Sequence, residues 1–391
     1  MPAFEPFSGL RYDLSRLRLD NVICPPYDVV SPKERQELAS KDPHNAIEIE
    51  LPEGGPDRYE KAAKLLRSWL DSGILVQDPS PCFYAYRMTY RDPAGSGERQ
   101  TLGVIGALGL GSDDILPHEE TLPKAKTDRL ELIRALRLNT SPIWGLSLAQ
   151  GLSEVIEPQG DPLASARDRF ATHELWALPE VASELISKIV ASAPLVVADG
   201  HHRLETARNY RSEKAPLGPG PWDAVMAFVV ELSESQLAVG AIHRLLRGFG
   251  STEELLEHLE TSFEIDELGR LSDPTPASLS PVRLGGAVLV VGDRAWVLVR
   301  RPWPAEPLAD FDSAAVARAT SQLASLEVSY VNSVEDALLA LSAGEAEASL
   351  LLRPPSVAQI RQMAEAGRKM PPKTTFFWPK PATGLVFRSV S

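Results

Sequence analysis

Pro194-Leu-Val-Val-Ala-Asp-Gly-His-His-Arg-Leu-Glu-Thr-Ala207 is the stretch that decides the fold. Leu195 to Ala198 is a short apolar run and reads as a buried strand. Asp199 and Gly200 interrupt it, and a helix-period stretch from Arg203 to Arg211 follows at once. Strand, tight turn and helix in direct succession point to an α/β fold. The start of a helix carries unpaired backbone N–H groups and the positive end of the dipole, so this turn suits an anion. Arg203 offers a planar guanidinium for bidentate contact with phosphate. The plainer alternative is that Asp199 caps the helix and that His201 and His202 are surface residues.

Working outward, 391 residues suffice for two or three domains with a real core. Acidic residues outnumber basic ones by 53 to 40, giving a net charge of −13. That weighs against nucleic-acid and anionic-membrane partners, which reward a basic surface. Two cysteines, Cys24 and Cys82, exclude a zinc–cysteine cluster or a disulfide framework. The opening Met-Pro-Ala-Phe-Glu-Pro-Phe lacks the basic-then-apolar pattern of a signal peptide. No apolar run reaches membrane-span length, and a cytoplasmic protein is expected.

The remaining pattern mixes strands and helices. Val22 to Val30 and Asn45 to Leu51 read as strands, the second half-exposed. Ser31-Pro32-Lys33-Glu34 has the N-cap, first-turn proline and third-position glutamate of a helix start. Asp57 to Ser72 reads as a helix closed by Gly73. Phe83 to Tyr90 and Leu102 to Leu110 form an expected hairpin, and 287–300 a second one turning at Gly292-Asp293. Asp161 to Ala171 and Leu178 to Ala191 have helical spacing. The expected fold class is α/β: a mixed sheet with packed helices, and a smaller C-terminal α/β portion. The expected portions are 1–160, 161–270 and 284–391, with Pro-rich 271–283 as the linker.

Polar chemistry gathers in four clusters. The first is His118-Glu119-Glu120 with Lys124, Asp128 and Arg129 beyond it. Its spacing is not the His-Glu-x-x-His of zinc proteases. The second is Asp199 to Arg203, where the side chains of adjacent histidines diverge and seldom chelate one metal, so a phosphate or nucleotide role is preferred to zinc. The third is His243-Arg244. The fourth is Lys373-Thr374-Thr375 with Lys380, and no Gly-x-x-x-x-Gly-Lys-Ser/Thr pattern precedes it. Gly-x-Gly-x-x-Gly and Gly-x-Ser-x-Gly are both absent. Asp28, in Pro25-Pro26-Tyr27-Asp28, either stabilises a turn or serves a site.

These segments resemble the bacterial and archaeal family catalogued as domain of unknown function 1015. The resemblance rests on Pro25 to Val29, His118 to Thr121, Ser141-Pro142-Ile143, Ala198 to Arg203 with Glu205 to Ala207, and His243-Arg244. It extends to the closing Met370-Pro371, Lys373, Thr375, Phe377 and Pro379-Lys380. More narrowly, the Asp-Gly-His-His-Arg turn is similar to the phosphate-binding turn of the ParB-like and sulfiredoxin superfamily. That superfamily includes kinases of free serine carrying a nearly identical string. A sulfiredoxin would carry a reactive cysteine beside the turn, and a partition protein a basic DNA-binding module. Neither is found here.

The resemblance implies a nucleotide-dependent phosphotransferase acting on a small hydroxylated metabolite, free L-serine first, with ATP or ADP and Mg²⁺. Phosphoryl transfer asks a protein for charge neutralisation, positioning and a group to take the hydroxyl proton. Glu119 or Glu120 is the expected base, with His118 the alternative. Gly200, His201, His202 and Arg203, with His243, Arg244, Lys373 and Thr375, are expected at the nucleotide phosphates. Asp28, Lys124 and Arg129 are expected at the substrate. Asp199 repels a bare phosphate, so it either caps the helix or holds the metal. The rival expectation is a nucleotide- or metabolite-binding regulatory protein without turnover, and the third a metal hydrolase.

Overall fold

The computed structural model describes residues 1–93, 97–117, 127–302 and 311–391. They gather into two compact units. One comprises the described residues of Met1–Pro117, Pro123–Ala238 and Pro379–Ser391, and the other those of Val239–Trp378.

The first unit is built on a mixed sheet. Its strands run, side by side, Ile115–Pro117, Leu195–Asp199, Ile143–Ser147, Ala224–Glu231, Glu98–Gly109, Tyr84–Arg91, Ala171–Ala177 and Ala164–Arg167. Phe4–Glu5 adds to the far end of Glu98–Gly109. Leu195–Asp199 is parallel to Ile115–Pro117, and Ile143–Ser147 is parallel to Ala224–Glu231. The expected hairpin is present, pairing Tyr84 with Ile105 through Arg91 with Glu98. The central strands are buried on both faces and read as continuous apolar runs. Helix Glu180–Ala191 packs Ile186 and Val190 into the core, where they join Val104, Leu195 and Val197. Leu204 and Ala207 tie helix His201–Lys214 to the same core.

The second unit is an antiparallel sheet in the order Phe263–Arg270, Arg294–Arg300, Ala287–Val291, Ala348–Leu351, His243–Arg247 and Glu327–Val331. Successive side chains alternate between two cores. Leu246 and Leu289 face helices Thr252–Glu260 and Asp312–Thr320, while Leu245 and Val288 face Val334–Ser342.

Several local expectations change. Asn45–Leu51 is no strand: Ile47–Glu50 makes one helical turn, with the Asn45 side chain accepting from Ile47 N at 2.9 Å and donating to Asn21 O at 2.7 Å. A local side-chain bond has outcompeted the strand pattern. Val22–Val30 is likewise not a strand. Cys24 makes a single bridge with Thr383, and Tyr27–Val29 turns as a 3₁₀ helix. The helical spacing of Asp161–Ala171 yields to strand Ala164–Arg167, which pairs with Ala171–Ala177.

The boundaries also fall elsewhere. The strands of 84–109 and 195–231 hydrogen-bond into one sheet, so a cut near 160 would divide it. Residues 271–283 lie inside the second unit, and the chain returns to the first at Pro379.

Candidate functional site

The strand Leu195–Asp199 is irregular where it ends. Its register with Ile143–Ser147 shifts between Val197 and Asp199, a bulge of the kind that re-aims side chains. Gly200 follows at φ +87 and starts a 14-residue helix without any side-chain cap. A Cβ there would meet Ile143 Cγ2 at 3.1 Å and Arg203 Cζ at 3.2 Å, so conformation and space both demand glycine.

Asp199 does not cap this helix. One carboxylate oxygen accepts from Arg203 at 2.6 Å, and the other accepts from Lys380. Burial works to raise its pKa, but the charges of Lys380 and Arg203 prevail and hold it at about 2. With both oxygens facing cations, Asp199 does not suit Mg²⁺. Among the described residues no three or more His, Cys, Asp or Glu side chains are arranged to hold a metal.

Arg203 also departs from expectation. Its guanidinium turns inward, donating to Asp199, to the carbonyl of Pro142 and to Ser141 Oγ at 3.3 Å. It is therefore occupied within the fold and not presented as a bidentate clamp. The side chains of His201 and His202 are half-buried on the first helical turn.

Beside Arg203 lies a cavity of about 40 Å³, with walls that include Tyr27, Glu50, Arg129, Thr140, Ser141 and Thr206. Glu50 is 1% exposed. Its carboxylate accepts from Thr140 Oγ1, from Ser141 Oγ at 3.1 Å and from Tyr27 N at 3.4 Å. Arg129, expected at the substrate, is likewise engaged. It donates to Asp128 at 2.9 and 2.6 Å and to Glu50 O at 2.6 Å, and lies over the Tyr27 ring at 4.2 Å. Asp128 also accepts from Tyr59 at 2.5 Å. Burial would raise its pKa, but Tyr59 and Arg129 bring it to about 2. Asp28 is exposed on the 3₁₀ turn and acts on Arg203 through its charge.

The remaining expected residues fall into two groups. His118, Glu119, Glu120 and Lys124 lie outside the described residues. His243, Arg244, Lys373 and Thr375 belong to the second unit. There His243 is buried and accepts from Leu352 N at 3.1 Å, and burial followed by the charge of Arg244 lowers its pKa to about 4. It is a neutral core imidazole, and Thr375 is buried too. Arg244 and Lys373 approach the same ring, that of Tyr330, at 5.5 and 5.9 Å.

Sequence reasoning missed Glu50, Tyr59 and Thr140, and missed that Lys380 meets Asp199. Glu50 looked like the exposed side of an alternating strand. Its burial depends on hydroxyls some ninety positions later.

No curated protein matches the chain. Among solved structures it is similar to a free serine kinase in complex with AMP, at 17% identity over 74% of this chain and 91% of that one, TM-score 0.40. A conserved hypothetical protein from Pyrococcus furiosus gives 15%, 73%, 93% and 0.39. SbnI with a C-terminal truncation from Staphylococcus aureus gives 15%, 71%, 85% and 0.38. The family model described as a protein of unknown function, DUF1015, matches residues 4–329. That match spans most of the chain, and the protein belongs to the DUF1015 family.

Proposed function

We propose that the protein is a nucleotide-dependent phosphotransferase acting on a small hydroxylated metabolite, with free L-serine the first acceptor to test and ATP or ADP the donor. One observation carries this reading: a left-handed glycine opens a long helix with no side-chain cap, beside a lysine delivered from the C-terminal segment. Helix dipole, backbone N–H groups and Lys380 together favour a phosphate at that turn. Asp199 balances one of the two cations that meet there. The amides of the first turn, with His201 and His202, are the proposed phosphate contacts. Mg²⁺ would arrive with the nucleotide, since Asp199 faces cations.

Glu119 or Glu120 is the proposed proton acceptor, with His118 the alternative. Phosphoryl transfer otherwise asks only for positioning and charge. The cavity beside Arg203 is the proposed place for the acceptor.

A second reading, a nucleotide-binding regulatory protein without turnover, draws on the internal engagement of Arg129 and Arg203. The experiment is a calorimetric titration with ATP and ADP, with and without Mg²⁺, followed by ³¹P NMR for phosphoserine after L-serine is added. Binding with product supports the transferase. Binding without product from any hydroxylated acceptor supports the regulator. Absence of nucleotide binding overturns both. No helix among the described residues is long and apolar enough to cross a membrane.

A further inference from the structure

Glu50 is a buried acid that the proposed transfer does not use. It is 1% exposed, and among the described residues its hydrogen-bond donors are all neutral: two hydroxyls and one backbone N–H. Among the described residues no Lys, Arg or His nitrogen lies within ion-pair distance of it. Arg129 meets Glu50 only at its backbone carbonyl and spends its other edge on Asp128. Arg203 lines the same cavity and acts on Glu50 through its charge, but its hydrogen-bond path runs through Ser141, whose hydroxyl accepts from the guanidinium at 3.3 Å and donates to Glu50 at 3.1 Å.

A buried carboxylate is ordinarily paired with a cation. It offers about four acceptor sites, and here three donors use them. The cavity that Glu50 lines holds about 40 Å³. A water needs roughly 10–15 Å³ of such space, so a group the size of a primary ammonium fits. Such a group carries three donors and would supply the direct ion pair that Glu50 lacks among the described residues. The hydroxyls of Thr140 and Ser141 hold the carboxylate still, which is what a selective contact requires.

We infer that Glu50 is a specificity-determining residue that binds the ammonium group of the phosphate acceptor, so the acceptor is an amino alcohol or hydroxy amino acid. The inference rests on the phosphotransferase reading for calling that ligand an acceptor. The amine preference itself is measurable without it. Attraction between Glu50 and the ammonium acts at a buried carboxylate, where charge discriminates more than in water. An analogue with a hydroxyl in place of the amine makes no ion pair with Glu50.

The test uses the full chain and binding calorimetry. L-serine is compared with glycerate, and ethanolamine with ethylene glycol, each with and without saturating ATP. The wild type should prefer each amine over its hydroxyl counterpart by about tenfold or more. Glu50→Gln keeps the shape and the hydrogen-bond acceptor but removes the charge, and should bring both ratios to about one. Equal affinities in the wild type overturn the inference, and this result needs no variant to fold. A folded E50Q that keeps the wild-type ratios also overturns it. ATP titrated onto the wild type alone judges the phosphotransferase reading separately. An amine preference without ATP binding would retire that reading and leave Glu50 as an ammonium-binding residue.

Discussion

Asp199 and Lys380 are separated by 181 positions and share one charge-assisted hydrogen bond. Both side chains are nearly buried. The bond fastens the segment after Pro379 to the turn where the strand becomes the helix. That segment is anchored further by the bridges of Thr383 with Cys24 and Phe387 with Leu10, and by Arg388 pairing with Asn139. The proposed phosphate turn is therefore assembled from residues on either side of the whole second unit in the sequence.

Lys380→Met should weaken both stability and nucleotide binding. Asp199 would keep Arg203 but lose one buried partner, at a cost of about 1–3 kcal/mol. Urea unfolding measures that loss. Nucleotide affinity should fall roughly tenfold, with Lys380→Arg recovering part of it. Unchanged calorimetric affinity in K380M would remove Lys380 from the phosphate site.

Gly200→Ala tests the backbone of the turn. A Cβ at φ +87, about 3.1 Å from Ile143 and 3.2 Å from Arg203, should cost about 1–3 kcal/mol. Nucleotide affinity should drop as the first helical turn shifts. A variant with wild-type melting temperature and affinity would show that the turn accommodates a side chain.

Acid unfolding should proceed in two windows. Asp199 and Asp128 sit at about 2 in the folded protein, below the unfolded carboxyl near 4. Their contribution is complete above pH 4 and is lost as pH falls toward 2. His243 is lowered from 6.5 to about 4. The unfolded chain binds its proton first, so stability declines as pH falls from 6.5 to 4. His243→Asn, whose amide oxygen can accept from Leu352 N, should flatten that upper window. Unfolding free energies measured from pH 7 to 4 would reveal it, and an unaltered slope would contradict the assignment.

Tyr86→Phe should destabilise the first unit. The Tyr86 hydroxyl accepts from Ala382 N at 3.1 Å and meets His173 Nδ1 at 2.8 Å, all in the buried interior. Its removal strands two buried polar groups, at about 1–3 kcal/mol each. Denaturant midpoints would give the loss, and a change below about 0.5 kcal/mol would mean that water replaces the hydroxyl.

Much of the fold was legible because local chemistry repeats itself along the chain. Ser31 does cap helix Pro32–Lys41, accepting from Glu34 N at 3.2 Å. The hairpin strands pair as expected, and the apolar run before Asp199 is a buried strand. The failures at Asn45–Leu51 and Asp161–Ala171 are of one kind. Short segments there took their conformation from a local side-chain hydrogen bond or a neighbouring strand rather than from their own pattern.

The sequence by itself determined that an Asp-Gly turn would stand between a buried strand and a helix, because propensity and periodicity act over a few residues. Only the tertiary structure decided what the charges do. Arg203 turns inward because Asp199 and the Pro142 carbonyl await it, and Lys380 arrives from the far end of the chain. Glu50 is buried because Thr140 and Ser141 supply its hydrogen bonds from another element. A side chain's charge is written in the sequence, but the energy of that charge depends on its burial and neighbours, and these exist only once distant segments pack.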